Sequence, residues 1–265
     1  MTEEKHISFD KALAQLPPIT LGEMDSIKLM NRLDSKYLTN EATLLLILAD
    51  AAAAGYRALS IEGLKISRYN SIYYDTDALR MFRDHHDRHL VRQKVRTRSY
   101  VESGQAFLEI KRKNNHGRTK KKRMEIPASE LMDFGADAAA CDFLAAKSWF
   151  TQPELTPVLS PAFKRITLVN PAMTERLTID THLFFRNFRT GLKASLQNAV
   201  IIELKQDGRA ASQMKGILLR HRVKPVRVSK YCIALTLTAP EVRTNRFKVK
   251  IRRIEKTIGN KLFAI

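Results

Sequence analysis

The spacing of hydrophobic and polar residues changes soon after residue 55, and this change predicts where helical structure gives way to strands. Asn40 and Glu41 precede a run of leucines, which predicts a capped helix over residues 41–54, ended by Gly55. Beyond it, apolar and polar residues mostly alternate, as in half-buried strands. The predicted strands cover residues 66–75, 80–84, 90–100, 106–113, 119–126, 161–169, 176–184 and 199–205. Further helices are predicted over residues 129–146 and 210–221, and a short final element begins at residue 229.

The order of these elements indicates the fold class. Several long strands follow one another with a few helices between them, and no strand–helix–strand repeat appears. This order favours an α+β fold, an antiparallel closed β-barrel of about eight strands that forms a tunnel, with peripheral helices. We expect an N-terminal extension over residues 1–24, the tunnel domain over residues 25–240 and a basic C-terminal tail over residues 241–265.

The chain carries a large excess of positive charge. Its 46 Lys and Arg residues face 27 Asp and Glu residues, which gives a formal net charge of +19. Such a field attracts nucleic acid, acidic membranes or phosphate chains. The cysteines, Cys141 and Cys232, are far apart and belong to no C-x-x-C pair, so neither a zinc ribbon nor a disulfide framework is expected. The first ten residues contain no apolar signal core, and a cytoplasmic location is expected.

Charged residues recur at every second position of several predicted strands, and such residues share one face of a strand. For a single strand, a solvated outer face is the usual interpretation. Here the opposite faces are not consistently apolar, and Glu203 and Lys205 end an apolar run, where unpaired charge is costly to bury. Rows on five strands therefore favour a barrel with a wet, charged interior. The rows are Arg32/Asp34/Lys36, Lys94/Arg96/Arg98, Glu109/Lys111/Lys113, Arg176/Thr178/Asp180 and Glu203/Lys205.

An interior of this kind suits phosphate chemistry. Arginine binds phosphate oxygens through a planar fork and lysine binds them as a point charge. A carboxylate among these cations can hold a divalent ion, whose other positions are left for phosphate oxygens and water. Phosphoryl transfer depends mainly on positioning and on charge neutralisation. Many cations with few carboxylates are thus the groups that a phosphate-transferring site requires.

A series of short motifs follows one order along residues 25–237. The motifs are Arg32-x-Asp34-x-Lys36-Tyr37, Tyr73-Tyr74-Asp75-Thr76, Lys94-x-Arg96-x-Arg98, Glu109-x-Lys111-x-Lys113, Phe163-Lys164-Arg165, Arg176-x-Thr178-x-Asp180, Glu203-x-Lys205 and Ser229-Lys230-Tyr231. In this order they resemble the VTC domain of polyphosphate polymerases, a branch of the triphosphate tunnel metalloenzyme (CYTH-like) superfamily.

The resemblance implies roles for individual residues. The predicted catalytic residues that act on phosphate are Arg96, Arg98, Lys111, Arg165, Arg176 and Lys230. The predicted substrate-binding residues are Lys36, Lys94, Lys113, Lys122, Lys205 and Ser229. The register at Lys122 is open, because its neighbours are also basic. Glu203 matches the glutamate that holds the metal ion, Mn²⁺ or Mg²⁺.

The resemblance also implies a reaction. The family enzyme is a metal-dependent phosphotransferase that moves the terminal phosphate of ATP onto a growing polyphosphate chain and releases ADP, so ATP and polyphosphate are the expected partners. The wider superfamily carries an E-x-E-x-K motif near its N-terminus. Here the equivalent residues are Arg32-Leu33-Asp34-Ser35-Lys36, and arginine in place of the first glutamate favours the VTC branch over a two-metal triphosphatase.

Two other functions remain open at this stage. A tunnel triphosphatase that hydrolyses inorganic triphosphate or nucleoside triphosphates would share almost every tunnel residue. A polyanion-binding protein without catalysis would share the charge. The basic strands lack the interleaved aromatic platforms typical of single-strand binders, so no specific nucleic-acid partner is expected.

Two further segments carry candidate chemistry. His85, His86 and His89 suggest a metal cluster at first, but no H-E-x-x-H motif occurs and a polar hairpin loop is the favoured interpretation. Residues 243–261 alternate basic and apolar side chains. They form either a solvated tail or a basic amphipathic segment, which would contact an anionic membrane, a membrane partner or the departing polyphosphate.

Overall fold

The structure, a computed structural model, describes residues 9–25, 32–208 and 211–263. Its strands are β1 (Pro18–Ile19), β2 (Arg32–Asn40), β3 (Arg57–Leu59), β4 (Ser67–Asp75), β5 (Arg92–Tyr100), β6 (Ala106–Lys113), β7 (Thr119–Glu125), β8 (Thr156–Val169), β9 (Glu175–Asn187), β10 (Lys193–Ser195) and β11 (Ala199–Asp207). The main sheet follows the order β2–β11–β9–β8–β4–β5–β6–β7, and every neighbouring pair along it is antiparallel.

Helices lie around this sheet. They are α1 (residues 9–14), α2 (Leu21–Asp25), α3 (Glu41–Ala53), α4 (Arg80–His86), α5 (Ala138–Lys147), α6 (Gln213–Arg220), α7 (Lys230–Thr238) and α8 (Lys248–Ile258). Asn40 caps α3 as predicted, because its side chain accepts the Thr43 N–H at 2.9 Å. Across the described ranges, no helix has both the length and the apolar character needed to cross a membrane.

The predicted α+β class and the eight-stranded antiparallel sheet with peripheral helices are confirmed. The sheet curls into a half-barrel. Its outer strands are β2 and β7, and their described parts share no hydrogen-bonded ladder that would close the sheet. Instead, the Val226 N–H donates to the Lys36 carbonyl at 2.7 Å, and Pro225 bridges to Tyr37. A coil segment therefore continues the wall beyond β2, where a fully closed barrel would have another strand.

The strand predicted over residues 80–84 is wrong, since these residues form α4. The buried carboxylate of Asp75 accepts the backbone N–H groups of Met81 at 2.9 Å and Phe82 at 3.0 Å. It thereby satisfies donors in the first turn of the helix. The histidines consequently lie on α4 and just beyond it, not on the predicted hairpin loop. His86 is buried, with its Nε2 atom 2.7 Å from Asn245 Oδ1.

Two predicted helices have different bounds. The segment predicted as one helix over residues 129–146 forms two elements, a 3₁₀ turn over Ala128–Leu131 and then α5. Helix α5 begins where the Asp137 side chain accepts the Ala140 N–H at 3.1 Å. The helix predicted over residues 210–221 is α6, and residue 210 itself lies outside the described ranges. The short element predicted at residue 229 is the start of α7.

The C-terminal segment is not a solvated tail. Residues 248–258 form α8, which buries Ile254 and Ile258 in the same core as α7. Asn40 Nδ2 also donates to the Thr257 carbonyl at 3.1 Å. The other side of α8 carries Val249, which is 73% exposed, and the exposed side chains of Lys248, Arg252, Arg253 and Lys256, whereas Lys250 is half-buried. The segment thus includes a basic amphipathic helix, and its predicted contact with a membrane, a membrane partner or polyphosphate stays a prediction.

The core is divided between the two faces of the curled sheet. On the convex side, Ile202 and Leu204 of β11 pack with α3 and α6. On the concave side, Leu38 and Ile201 pack with residues of α7 and α8. Helix α7 thus fills one part of the concavity with apolar side chains, and the charged rows occupy the rest.

Candidate functional site

The strand registers place the charged rows on the concave face. Residues directly opposite each other in neighbouring strands share a face. The opposed pairs are Arg96 with Glu109, Lys94 with Lys111, Lys36 with Glu203, Lys205 with Arg176, and Arg165 with Asp180. Each row therefore continues from strand to strand around the curl.

Glu109 forms the first cluster of the site. Its carboxylate, 1% exposed, accepts Arg96 Nε at 2.7 Å, also contacts Arg96 Nη2, and accepts Lys121 Nζ at 3.1 Å. Arg98 Nε lies 4.0 Å away. Burial alone would raise the pKa of Glu109, but the charges of Arg96, Arg98 and Lys121 outweigh it and hold that pKa well below its usual range. Glu109 is therefore an anion fixed among cations.

Asp180 forms the second cluster. Arg165 binds it through two parallel hydrogen bonds, Nε to Oδ1 at 2.6 Å and Nη2 to Oδ2 at 2.9 Å, and Lys230 Nζ also contacts Oδ2. The Arg165 guanidinium lies 4.6 Å from the Tyr69 ring centroid, and Lys230 Nζ lies 4.7 Å from that of Phe163. Burial opposes ionisation of Asp180, but Arg165 and Lys230 lower its pKa to about 2.

Glu203 forms the third and most exposed cluster. Its side chain is 27% exposed and lies 2.8 Å from Lys36 Nζ and 3.8 Å from Lys205 Nζ. These lysines outweigh the effect of burial and hold the pKa of Glu203 well below its usual range. Burial lowers the pKa of Lys205 to about 8, because Glu203 offsets only part of this effect and Arg176 adds to it.

The three clusters share one interior. The charge of Arg96, together with burial and Arg98, lowers the pKa of Lys111 to about 6, and Glu203 partly offsets this shift. Lys111 lies on β6 and Glu203 on β11, which are not neighbours in the sheet. Arg165 of β8 likewise acts on Arg98 of β5. The curl therefore brings distant strands within electrostatic reach, as a common channel requires.

The first residues of α7 hold this interior together. Ser229 caps the helix and accepts Lys94 Nζ at 2.8 Å, and Lys230 pairs with Asp180. Tyr231 donates to Asp75 Oδ2 at 2.5 Å, and its ring stacks on another tyrosine of β4 at 5.1 Å. Three consecutive residues thereby join strands β5, β9 and β4.

Most of the predicted site residues come together in this concavity. They are Lys36, Lys94, Arg96, Arg98, Lys111, Arg165, Arg176, Glu203, Lys205, Ser229 and Lys230. Lys113 lies at the end of β6, opposite Arg92. The side chain of Arg32 lies outside the described part of the chain, so its predicted place in the row stays a prediction.

The placement of Lys122 on the tunnel face is wrong by one residue. Lys122 is opposite Ile110, on the other face of β7, and is exposed. Lys121 is opposite Lys111 on the concave face and reaches Glu109. Four consecutive basic residues carry no signal of which ones face inward, and the pairing of β7 with β6 decides it.

Tyr73 belongs to the site but was given no role by the sequence. Its hydroxyl accepts Arg96 Nη1 at 2.9 Å, and the described residues provide no acceptor for its own O–H. Burial would raise the pKa of Tyr73, yet the charges of Arg96, Lys94 and Arg98 lower it to about 8. The signal was its position in the Tyr73-Tyr74-Asp75-Thr76 motif, but only the register with β5 reveals the contact.

One carboxylate of the site, that of Glu203, fits a metal ion that is shared with substrate. The described residues contain no group of three His, Cys, Asp or Glu side chains that could hold an ion by themselves. Glu109, Asp180 and Glu203 are all paired with cations, but Glu109 and Asp180 are buried, whereas Glu203 is partly exposed. Magnesium commonly binds through one or two carboxylates together with substrate phosphates and water. Glu203 has the chemistry for this arrangement, in which substrate and water supply the remaining ligands of the ion.

Comparisons with solved structures identify the fold. A candidate adenylyl cyclase from Hippeastrum, in which a triphosphatase activity is dominant, is 14% identical, with a TM-score of 0.50 over 77% of this chain and 94% of that one. A candidate adenylate cyclase from Bacillus halodurans is 13% identical, with a TM-score of 0.48 over 76% of this chain and 96% of that one. The search of curated proteins gave no match.

The family profile of the VTC domain matches residues 31–239. The match runs from the start of β2 to the end of α7 and so includes every strand of the main sheet. The chain therefore belongs to the VTC domain family and has the fold of the CYTH-like triphosphate tunnel proteins.

Proposed function

We propose that this protein is a polyphosphate polymerase, which transfers the terminal phosphate of ATP to a growing polyphosphate chain inside the basic concavity and releases ADP. The observation that supports it is the convergence of buried and half-buried cations from β2, β5, β6, β8, β9 and β11, which outnumber the carboxylates Glu109, Asp180 and Glu203. Uncompensated buried charge is costly. A polyanionic substrate would supply the missing counter-charge.

Several cationic groups have donors available for phosphate. Arg98 donates Nε to Ser71 Oγ at 3.2 Å, and among the described residues no acceptor contacts its Nη groups. Lys111 is half-buried and its charge is disfavoured by Arg96 and Arg98, so a phosphate placed there would restore its proton and pair with it. In this proposal Arg96 keeps its orientation through Glu109 and contributes charge. Arg165, Arg176 and Lys230 bind neighbouring phosphates.

Glu203 would hold the divalent ion, with Lys36 and Lys205 releasing it for that purpose. When bound, such an ion neutralises charge on phosphate oxygens. In the proposed transfer, a terminal oxygen of the chain forms the new bond to the γ-phosphorus. The bond between that phosphorus and the bridging oxygen breaks, and its electrons leave with ADP. The site's own residues align the two anions and offset their repulsion.

The direct test is incubation of the purified protein with ATP and manganese, followed by a polyphosphate stain of a gel. The proposal expects long chains and one ADP per phosphate added. Release of orthophosphate without polyphosphate, or no consumption of ATP, would refute the proposed polymerase activity.

Glu203→Gln tests the metal assignment. Because the pair of Glu203 with Lys36 is partly solvated, with side chains 27% and 35% exposed, the fold should survive the change. We expect loss of turnover with little change in melting temperature, and the exposed Glu62→Gln as a control should retain activity. Full activity of Glu203→Gln at ordinary metal concentrations would remove Glu203 from the mechanism.

A triphosphatase is the second candidate, because the Hippeastrum protein of similar fold has a dominant triphosphatase activity. The same basic concavity would bind the substrate, and water would take the place of the chain oxygen as the attacking group. Release of orthophosphate and pyrophosphate from tripolyphosphate, with no longer chain formed, would favour this function. Binding of polyphosphate with no turnover would favour a non-catalytic protein.

A further inference from the structure

A second group of basic side chains lies beyond the site, where β5 begins and β6 ends. Arg92 and Lys113 are directly opposite each other in the ladder of these strands. They share a face with Lys94 and Lys111, so the charged row of the concavity continues to this end of the sheet. Adjacent positions on one face of a strand are about 7 Å apart. A phosphate chain of a few units would therefore reach from Lys111 to Lys113.

Two further cations come from outside the sheet. Arg227 directly follows Val226, whose N–H is bonded to the carbonyl of Lys36 at the edge of β2. Lys250 comes from α8, beyond the residues matched by the family profile. Its Nζ lies 5.0 Å from the Phe247 ring centroid, which is 6.3 Å from that of His85. We call Arg92, Lys113, Arg227, Lys250 and His85 the rim cluster.

The members of the rim cluster act on one another electrostatically. Burial and the charges of Lys94, Arg92, Lys250 and Lys113 lower the pKa of His85 to about 2. Burial and the charges of Arg92 and Arg227 likewise lower the pKa of Lys113. These mutual effects agree with the geometry, in which Arg92 is opposite Lys113 and the side chains of Lys250 and His85 both lie against the Phe247 ring.

The rim cluster lacks the carboxylates that balance the interior. Among the described residues, no carboxylate forms an ion pair with Arg92, Lys113, Arg227 or Lys250. The carboxylates of the adjacent helix are turned to other partners, Asp84 to His89 and Asp87 to His86. In the same part of the chain, the buried Nδ1 atom of His85 has no hydrogen-bond partner. The rim therefore holds concentrated positive charge and an unused polar group.

We infer that the rim cluster is a second anion-binding site, which holds the phosphates of an inorganic polyphosphate chain where that chain extends beyond the interior. Helix α8 takes part in it through Lys250. A chain is favoured over separate anions because the rim continues the charged row without a break from Lys111. The inference deepens the proposed function, on which it rests for the identity of the chain.

The test compares two probes, tripolyphosphate and long-chain polyphosphate, by calorimetry at fixed salt and without ATP. The variants are Arg227→Ala, Lys250→Ala and the double variant, with Lys248→Ala of the exposed side of α8 as control. A charged hydrogen bond contributes enough for about a tenfold loss of affinity. We expect the double variant to weaken long-chain binding about tenfold or more and to change tripolyphosphate binding less than about twofold.

Two outcomes would overturn the inference. One is long-chain affinity in the double variant equal to that of Lys248→Ala. The other is an equal loss for both probes, which would mean that the interior itself had been disturbed. Melting temperatures of all variants identify any general loss of folding. Because no turnover is measured, a protein that binds long chains at the rim but makes none would contradict the proposed function and leave this inference standing.

Discussion

Replacing Asp180 by asparagine should destabilise the protein strongly, because this carboxylate is the counter-charge of both Arg165 and Lys230. Its pKa is lowered from 3.8 to about 2. At 1.36 kcal/mol per pKa unit, ionisation contributes about 2 kcal/mol of stability. Since the folded pKa is the lower one, this contribution is present above pH 3.8 and is lost as the pH falls through about 2.

The amide of the asparagine variant cannot regain this contribution at any pH, and it leaves two largely buried cations, 14% and 18% exposed, without their shared counter-charge. Removing one partner of a buried pair costs about 3 to 5 kcal/mol. A loss of about 3 kcal/mol corresponds to a fall in melting temperature of roughly 6 to 12 °C in a protein of about this size. Differential scanning calorimetry near neutral pH measures it. The matched control is Asp77→Asn, which removes a 96% exposed carboxylate 3.4 Å from Arg189 and should change little.

Tripolyphosphate provides the second half of this test. If phosphate oxygens can replace the carboxylate, the ligand should stabilise Asp180→Asn more than the unmodified protein and narrow the gap between them. Equal melting temperatures for Asp180→Asn and Asp77→Asn would refute the claim that Asp180 balances the interior. A gap that stays constant at saturating tripolyphosphate would refute the claim that substrate occupies the same charge field.

Three further predictions concern the interior. The cations beside Tyr73 lower its pKa to about 8, so Tyr73→Phe should remove a step in tyrosinate absorbance near pH 8. Persistence of that step would assign it to another tyrosine. Lys111, with a pKa of about 6, is neutral near pH 7.5, so tripolyphosphate binding should take up protons and strengthen as the pH falls toward 6. Calorimetry in two buffers of different ionisation enthalpy counts the protons taken up, and Lys111→Met should lower that number. An unchanged number would contradict the assignment of the uptake to Lys111. Lys121→Ala should weaken tripolyphosphate binding several-fold, whereas its neighbour Lys122→Ala should not, and equal effects would contradict the observed register.

The alternating rows predicted five of the strands that line the interior, β2, β5, β6, β9 and β11, but no row included Tyr73 of β4, Lys121 of β7 or Arg165 of β8. The face of each row follows from a period of two, and the pairings of Lys94 with Lys111 and of Lys36 with Glu203 preserve it. The same rule gives no answer where the residues are uniform. Lys122 was assigned inward from the resemblance, with the register left open by its basic neighbours, and only hydrogen bonding to β6 selects Lys121.

The remaining errors come from contacts between distant residues. The segment that became α4 has too few residues to display a helical period, and its first turn depends on the carboxylate of Asp75. The burial of α8 could have been anticipated from Ile251, Ile254 and Ile258, whose spacing of three and four residues is typical of a helix. The roles of Asp180 and Tyr73 could not have been anticipated from the sequence, because each role is defined by partners on other strands.

The start of α7 couples the rigidity of the protein to its chemistry. Ser229, Lys230 and Tyr231 each contact a different strand, and the next residues of the same helix are buried core, Cys232 and Ile233 among them. Core interiors transmit strain, because they are closely packed. A substitution that enlarges or shrinks the side chain of Cys232 or Ile233 would thus shift Ser229, to which both residues are hydrogen-bonded, and Lys230 beside it, and would change the width of the concavity. Sequence change in this apolar helix is therefore constrained by the positions of the charged residues in the concavity as well as by folding.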